Sequence, residues 1–495
     1  MAAATRNLLA FDLGAESGRA ILGKFDGRRL ALEEIHRFAN GPVQVFDSLY
    51  WDVLRLFGEM KHGLGLCVRQ HGSRLDGIGV DTWGVDFGLL GRGGILLENP
   101  HHYRDPRTDG MLEAAFARVP RAEIFAHTGA QFMKLNTLYQ LLALQAAASP
   151  VLASAETFLM MADLFNYFFT GRRVCEFSNA TTTQFYNPVA GRWATELLER
   201  FGLPTAILPE IVQPGTVIGP LLPSIREQCG LEPVQVLAPA THDTGSAVAS
   251  IPTRTRDYLY ISSGTWSLMG AEIPQPRTDE AVLRHNFTNE GGVGRTFRFL
   301  KNIMGLWLVQ ESRRAWERQG KTFSYAELAE LAGRAPAFTA VVNPDDERFL
   351  PPGDMPARVR EYCRATGQTE PADEGAVVRT VLESLALRYR DVVESVEQIL
   401  GRRMECIHVV GGGIQNRLLC QFTATATQRP VIAGPLEATA IGNLMMQALA
   451  LGEVASVEEA RQVVRASFDP ETHEPGDPAG WDEAFARFRA LPTRA

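Results

Sequence analysis

Cysteine is scarce and scattered in this sequence. Cys67, Cys175, Cys229, Cys363, Cys406 and Cys420 lie far apart and form no Cys-x-x-Cys pair. That usage excludes a zinc-finger pattern and fits buried thiols in a reducing cytoplasm. Long apolar runs are missing as well. None approaches the roughly 20 residues that cross a bilayer, so no membrane partner is expected. Basic charge is in deficit, with 49 Lys and Arg against 57 Asp and Glu for a net charge of −8. A nucleic-acid partner normally requires a basic face, so none is expected here.

What remains is ordinary globular composition, 45% hydrophobic and 21% charged, over 495 residues. One hydrophobic core does not extend that far, and the pattern below divides the chain into domains 1–248 and 249–495. Near the middle, an apolar run over 234–238 predicts a buried strand, followed by Thr241-His242-Asp243-Thr244-Gly245 and a helix start at Ala247. Ligands of open α/β sheets bind beyond the carboxyl ends of strands, which makes Asp243 the leading candidate for a general base. An ordinary aspartate pKa of about 3.9 suffices for that role.

In the first half, Leu8-Leu9-Ala10-Phe11 predicts a strand that ends in Asp12-Leu13-Gly14-Ala15-Glu16-Ser17-Gly18-Arg19. Strand character resumes at 20–23 and 30–38. A hairpin turn with two glycines and a serine can aim backbone N–H groups at one anion. Asp12 at the strand end suits Mg²⁺, directly or through water. An ordinary hairpin turn fits the same residues. A strand over 78–81 ends in Thr82-Trp83-Gly84-Val85-Asp86, where Gly84 admits a ligand to the backbone and Trp83 supplies an apolar wall; a core Trp in a plain turn is the alternative. Arg104, Asp105 and Arg107 are a polyol-binding set or solvated loop charges. Helices are predicted over 51–68, 132–148 and 162–170. The polar run 178–184 reads as a helix cap or as substrate contacts.

The second half repeats the layout. A strand over 258–261, the turn Ser262-Ser263-Gly264-Thr265-Trp266 and a strand over 267–270 echo residues 8–23, about half the chain length earlier. A duplicated fold with one phosphate-gripping hairpin per half explains that spacing. Thr265 would face the phosphates. Asn302 is expected near the start of the helix that carries Gln310. The acidic stretch 343–348 is expected to be a solvated loop. After a long helix over 376–400, a strand over 407–410 runs into Gly411-Gly412-Gly413, bare backbone on which a flat adenine or ribose can lie.

The order of these motifs resembles the FGGY carbohydrate kinases. The resemblance rests on Asp12-Leu13-Gly14-Ala15-Glu16-Ser17-Gly18-Arg19, Asp81-Thr82-Trp83-Gly84-Val85-Asp86-Phe87, His242-Asp243-Thr244, Ser262-Ser263-Gly264-Thr265-Trp266, Lys301-Asn302-Ile303-Met304-Gly305 and Gly411-Gly412-Gly413-Ile414-Gln415-Asn416. It implies an α/β fold of two actin-like (ribonuclease H-like) ATPase domains with an inter-domain cleft, the first for sugar and one phosphate hairpin, the second for nucleotide. The implied reaction is ATP-dependent phosphorylation of L-rhamnulose at O1 with Mg²⁺, by a cytoplasmic monomer or homodimer. Asp243 matches the base. Ala15, Glu16, Ser17, Gly18, Arg19, Thr265, Gln310 and Gly412 match nucleotide contacts, and Gly84, His242, Thr244 and Asn302 match sugar contacts. Glu16 replaces a small hydroxyl residue and Cys420 replaces Asn, which touches the nucleotide side only. L-fuculose or a pentulose is the alternative substrate. A non-kinase actin-like ATPase would share the hairpins but has no use for a Trp-Gly-lined pocket.

Overall fold

The computed structural model describes residues 5–492. The chain divides into two compact units. One comprises Met1–Pro252, Glu272–Phe299 and Ala438–Phe468, the other Thr253–Ala271, Leu300–Glu437 and Asp469–Ala495.

The first sheet is built from β1 (Arg6–Leu13), β2 (Ser17–Phe25), β3 (Leu30–Ala39), β4 (Gly77–Thr82), β5 (Thr216–Pro220) and β6 (Gln235–Ala238). Its order is β5-β6-β4-β1-β2-β3. β1 pairs antiparallel with β2 but parallel with β4, and β4 pairs parallel with β6. A strand covered on both faces needs apolar residues at every position, and β1 shows why its run is continuous. Leu9, Phe11 and Leu13 pack with Leu56, Met60 and Leu64 of the helix Val53–His71. Leu8 and Ala10 point the other way, onto Ile441, Leu444 and Met445 of the helix Ala438–Ala450. Gly442 lets that helix touch the backbone of Ser246 in the helix Asp243–Ala249, because a Cβ there would overlap Ser246.

The second sheet contains β7 (Tyr258–Ser263), β8 (Trp266–Ile273), β9 (Thr288–Gly291), β10 (Phe297–Met304), β11 (Cys406–Val410), β12 (Val431–Ala433) and β13 (Glu471–His473), in the order β9-β10-β8-β7-β11-β12-β13. β7 is antiparallel to β8 and parallel to β11, as β1 is to β2 and β4. The inner order β10-β8-β7-β11-β12 therefore repeats β3-β2-β1-β4-β6. The duplication expected from the two glycine turns is present in the strand order itself.

Several local expectations are corrected. Trp51 belongs to the short strand Ser48–Trp51, and the helix starts at Val53 after an Asp52 cap. The helix expected from 132 starts at Thr137, because the Phe132 N–H goes to Asn286 Oδ1 at 2.9 Å instead of into a helical ladder. Asn302 lies within strand β10, and the next helix begins at Trp307. Asp345 is not a solvated loop charge. It accepts from Met304 N and from Arg388 Nε, both at 2.9 Å. All six cysteines are free thiols. Among the described residues, no helix is long and apolar enough to cross a membrane.

Candidate active site

Three carboxylates gather at the carboxyl ends of parallel strands in the first unit. The parallel register sets Asp12 of β1 opposite Asp81 of β4. A bridge between Thr82 and His242 then carries the turn after β6 alongside them. Asp243 follows as the first residue of the helix Asp243–Ala249. Its Oδ1 accepts from Thr244 N at 2.6 Å and from the Thr244 hydroxyl at 3.3 Å. Its side chain keeps 30% exposure. Burial pushes the Asp243 carboxyl above its usual range, and the charge on Asp12 adds to the rise while the hydrogen bonds from Thr244 oppose it. The ordinary pKa expected from sequence is thus corrected upward, which makes Asp243 a stronger base when ionised.

The hairpin after Asp12 closes through Gly14 N donating to Ser17 O at 2.9 Å. Ala15 and Ser17 are half-buried, Gly18 is buried and Glu16 is exposed on this turn. Arg19 reaches back across the hairpin and pairs with Asp12. Burial and the charge on Asp12 raise Asp81 well above the usual carboxylate range. Its Oδ2 accepts from Asn443 Nδ2 at 2.6 Å, while its Oδ1 is buried with no partner among the described residues. Among those residues no cluster of three or more His, Cys, Asp or Glu is poised to hold a metal. Mg²⁺ bound largely through water and phosphate needs only one or two carboxylates, so the donor set around Asp12 fits it.

Gly84 sits in the turn after β4, where an added Cβ would come within 2.9 Å of Thr182. Beside it lies a network that sequence reading missed. The buried carboxylate of Asp86 accepts from Trp51 Nε1 at 2.6 Å, Trp83 Nε1 at 2.9 Å, Gln140 Nε2 at 2.9 Å and Tyr103 N at 3.2 Å. The rings of Trp51 and Trp83 lie 4.0 Å apart. Trp83 is therefore a buried ring fixed at its polar edge, and Asp86 is what fixes it. The Arg and Asp of the 104–107 loop are held internally: Asp105 accepts from Leu49 N at 2.6 Å, and Arg107 donates to Gln140 Oε1 at 2.7 Å. The 178–184 run, expected as a helix cap or as substrate contacts, is buried, and the cap of the short helix Phe177–Ala180 is Glu176 instead. Ser178 and Thr182 are buried, and Thr182 Oγ1 accepts from Val85 N at 3.0 Å.

Two further charged residues reach His242, and sequence reading gave neither. Glu290 Oε2 is 3.1 Å from His242 Nδ1, and Arg298 Nη2 is 3.0 Å from the same nitrogen. They lie about 50 residues away in a different strand pair, where nothing local marks them.

The second unit holds the other expected residues. Gly264 N donates to Trp266 O at 2.8 Å, closing the β7–β8 turn. The Thr265 carbonyl accepts from Gly305 N and Trp307 N, both at 3.1 Å, which tethers the turn to the helix Trp307–Arg318. The Oε1 of Gln310 on that helix is buried without a partner among the described residues. Gly412 is exposed with open space above its Cα, while Gly413 presses on Ser263 so closely that no Cβ fits. Asn302 is half-buried on β10. A glycine-bare turn beside a glycine-closed hairpin is an arrangement that can receive a nucleotide.

Comparison with known proteins bears on both units. The sequence model for the FGGY family of carbohydrate kinases, N-terminal domain, matches residues 7–249, and that for the C-terminal domain matches residues 259–451. The chain is 46% identical to a rhamnulokinase of Bacteroides thetaiotaomicron, over 98% of this chain and 99% of that protein. It is 41% identical to a rhamnulokinase of Oceanobacillus iheyensis, over 94% of this chain and 97% of that one. The fold is shared with a ligand-bound xylulose kinase from Lactobacillus acidophilus at a TM-score of 0.79 and 16% identity, covering 98% of this chain and 97% of that one. The expected pair of actin-like α/β domains is thereby met. With both halves of the family matched in order and full-length relatives above 40% identity, the chain belongs to the FGGY family of carbohydrate kinases.

Proposed function

We propose that this carbohydrate kinase transfers the γ-phosphoryl group of ATP to O1 of L-rhamnulose, with Asp243 as general base. The sugar assignment is supported by the rhamnulokinases that match the chain from end to end. The observation that carries the reaction is Asp243 itself. It is a carboxylate a third exposed at a helix start, its basicity raised by burial and by Asp12.

In phosphoryl transfer the protein mainly positions groups and stabilises charge. Asp243 accepts the O1 proton, while Thr244 fixes its other lone pairs. His242, Thr244, Gly84 and Asn302 hold the ketose, with Trp83 as the apolar wall. Ala15, Glu16, Ser17, Gly18, Arg19, Thr265, Gln310 and Gly412 contact the nucleotide. Asp12 would hold Mg²⁺, directly or through water, and that ion supplies neutralisation of phosphate charge. Sugar recognition falls mainly to residues within 1–248 and nucleotide binding mainly to residues within 249–495. We assign the enzyme to the cytoplasm, as a monomer or homodimer. Family membership does not favour a non-kinase ATPase.

The test is ADP release over a panel of ketoses containing L-rhamnulose, L-fuculose and pentuloses, with the product identified by phosphorus NMR. The reading expects the highest kcat/KM for L-rhamnulose and a 1-phosphate product. Sugar-independent ADP release, or a clear preference for another ketose, would overturn it.

A further inference from the structure

The side of His242 away from Asp243 faces a buried ion pair. Arg298 is completely buried and Glu290 is 5% exposed. Arg298 Nη2 lies 3.0 Å from Glu290 Oε2, and Arg298 Nε donates to Gly291 O at 2.9 Å. The guanidinium is thus anchored at a backbone carbonyl and at a carboxylate, and its Nη2 points at His242 Nδ1 from 3.0 Å. On the opposite edge of the ring, His242 Nε2 lies 3.4 Å from Asp243 Oδ1.

A guanidinium has only donors and keeps its charge throughout the working pH range of proteins. The ring nitrogen it faces at hydrogen-bond distance must therefore offer a lone pair. A neutral imidazole has one N–H, so the proton resides on Nε2. Glu290 Oε2 also lies within reach of Nδ1 and competes for a proton there, but its charge is already engaged by Arg298. At 3.4 Å the Nε2–H is too far from Asp243 for a good hydrogen bond. The donor stays available to a ketose oxygen lying between the two side chains.

We propose that Arg298, held by Glu290 and the Gly291 carbonyl, is a positioning residue that locks His242 in its Nε2–H tautomer. His242 then always presents a donor to the sugar, next to the carboxylate that accepts the sugar's proton. In the other tautomer it would present a lone pair to the same oxygen and bind no ketose carbonyl. Arg298 is fully buried and acts only through the ring. The inference rests on the sugar-binding role assigned to His242 above.

The test is a long-range proton–nitrogen correlation spectrum of the full chain labelled with ¹⁵N-histidine, with the His242 signals assigned by their loss in His242→Gln. The expected wild-type pattern is the Nε2–H tautomer, with Nδ1 bare. An Nδ1–H or doubly protonated His242 near neutral pH would overturn the proposal, and this readout needs neither a variant of Arg298 nor turnover. In Arg298→Lys, which keeps the charge but loses the fork, the ketose KM is expected to rise about tenfold with the ATP KM unchanged. An unchanged ketose KM together with unchanged His242 signals in that variant would equally overturn it. Absence of L-rhamnulose turnover in the wild type would sink the substrate assignment alone, because the tautomer is read without substrate.

Discussion

Glu176 Oε2 accepts both the backbone N–H and the hydroxyl of Thr241, each at 2.8 Å, across 65 residues of sequence. The same carboxylate also accepts from Ser178 N at 2.9 Å, and Ser178 Oγ in turn accepts from His242 N at 3.0 Å. A fully buried acid thus holds the turn that carries Asp243. Burial raises its pKa, and the donors of Ser178 and Thr241 oppose that rise.

Glu176→Gln places an amide where those donors need an acceptor. The variant is expected to lose about 1–3 kcal/mol of stability, from buried donors left unpaired. It is also expected to lose kcat, because Asp243 rides on the released turn. Denaturant unfolding and steady-state kinetics on one preparation check both effects.

Asp86 gives a pH signature. Burial raises its pKa from 3.8 to about 6, against the donors from Gln140, Trp51 and Trp83. Between those values the folded chain keeps a proton that the unfolded chain has lost. Its stabilising contribution is therefore full below the unfolded pKa and is lost as pH rises through about 6. Asp86→Asn lacks this slope. The wild-type advantage over the variant should shrink by about 1–2 kcal/mol between pH 5 and pH 7.5, as read from paired melting curves.

Gly413 tests the nucleotide side by itself. A Cβ there would stand 2.5 Å from Ser263 Cβ and 3.0 Å from Ser263 O, at the base of the Gly264–Thr265 turn. Gly413→Ala must push that turn aside. The expected result is an ATP KM raised about tenfold, for a strain of 1–3 kcal/mol, with the ketose KM unchanged. Titration calorimetry with ADP checks the binding term directly.

Asp12 tests the metal. Asp12→Asn removes one charge from the carboxylate group around Asp81. The free Mg²⁺ needed for half-maximal rate should rise by about 10-fold or more. Excess chelator should abolish turnover in the wild type, and calorimetric titration of Mg²⁺ in the presence of ADP should show the same weakening.

Much of the site was legible in the sequence because it sits where strands stop. Asp12, Gly84 and Asp243 each follow an apolar run ended by glycine or polar residues, and parallel pairing brings such ends together. The strand order confirms the repeat between Gly14 and Gly264. What stayed hidden depends on distant partners. Asn302 lies in a strand because β10 joins a sheet, and 132–136 stay out of a helix because Asn286 captures Phe132. Glu176, Glu290 and Arg298 are single charges in unremarkable surroundings. Only the folded chain carries them to His242 and its turn.

The decisive measurement is the turnover of Asp243→Asn at saturating ATP and L-rhamnulose, with binding of both followed by calorimetry. If this carboxylate takes the O1 proton, kcat falls on the order of 10² or more while both affinities stay near wild type. An Asn variant that turns over at the wild-type rate would contradict the account.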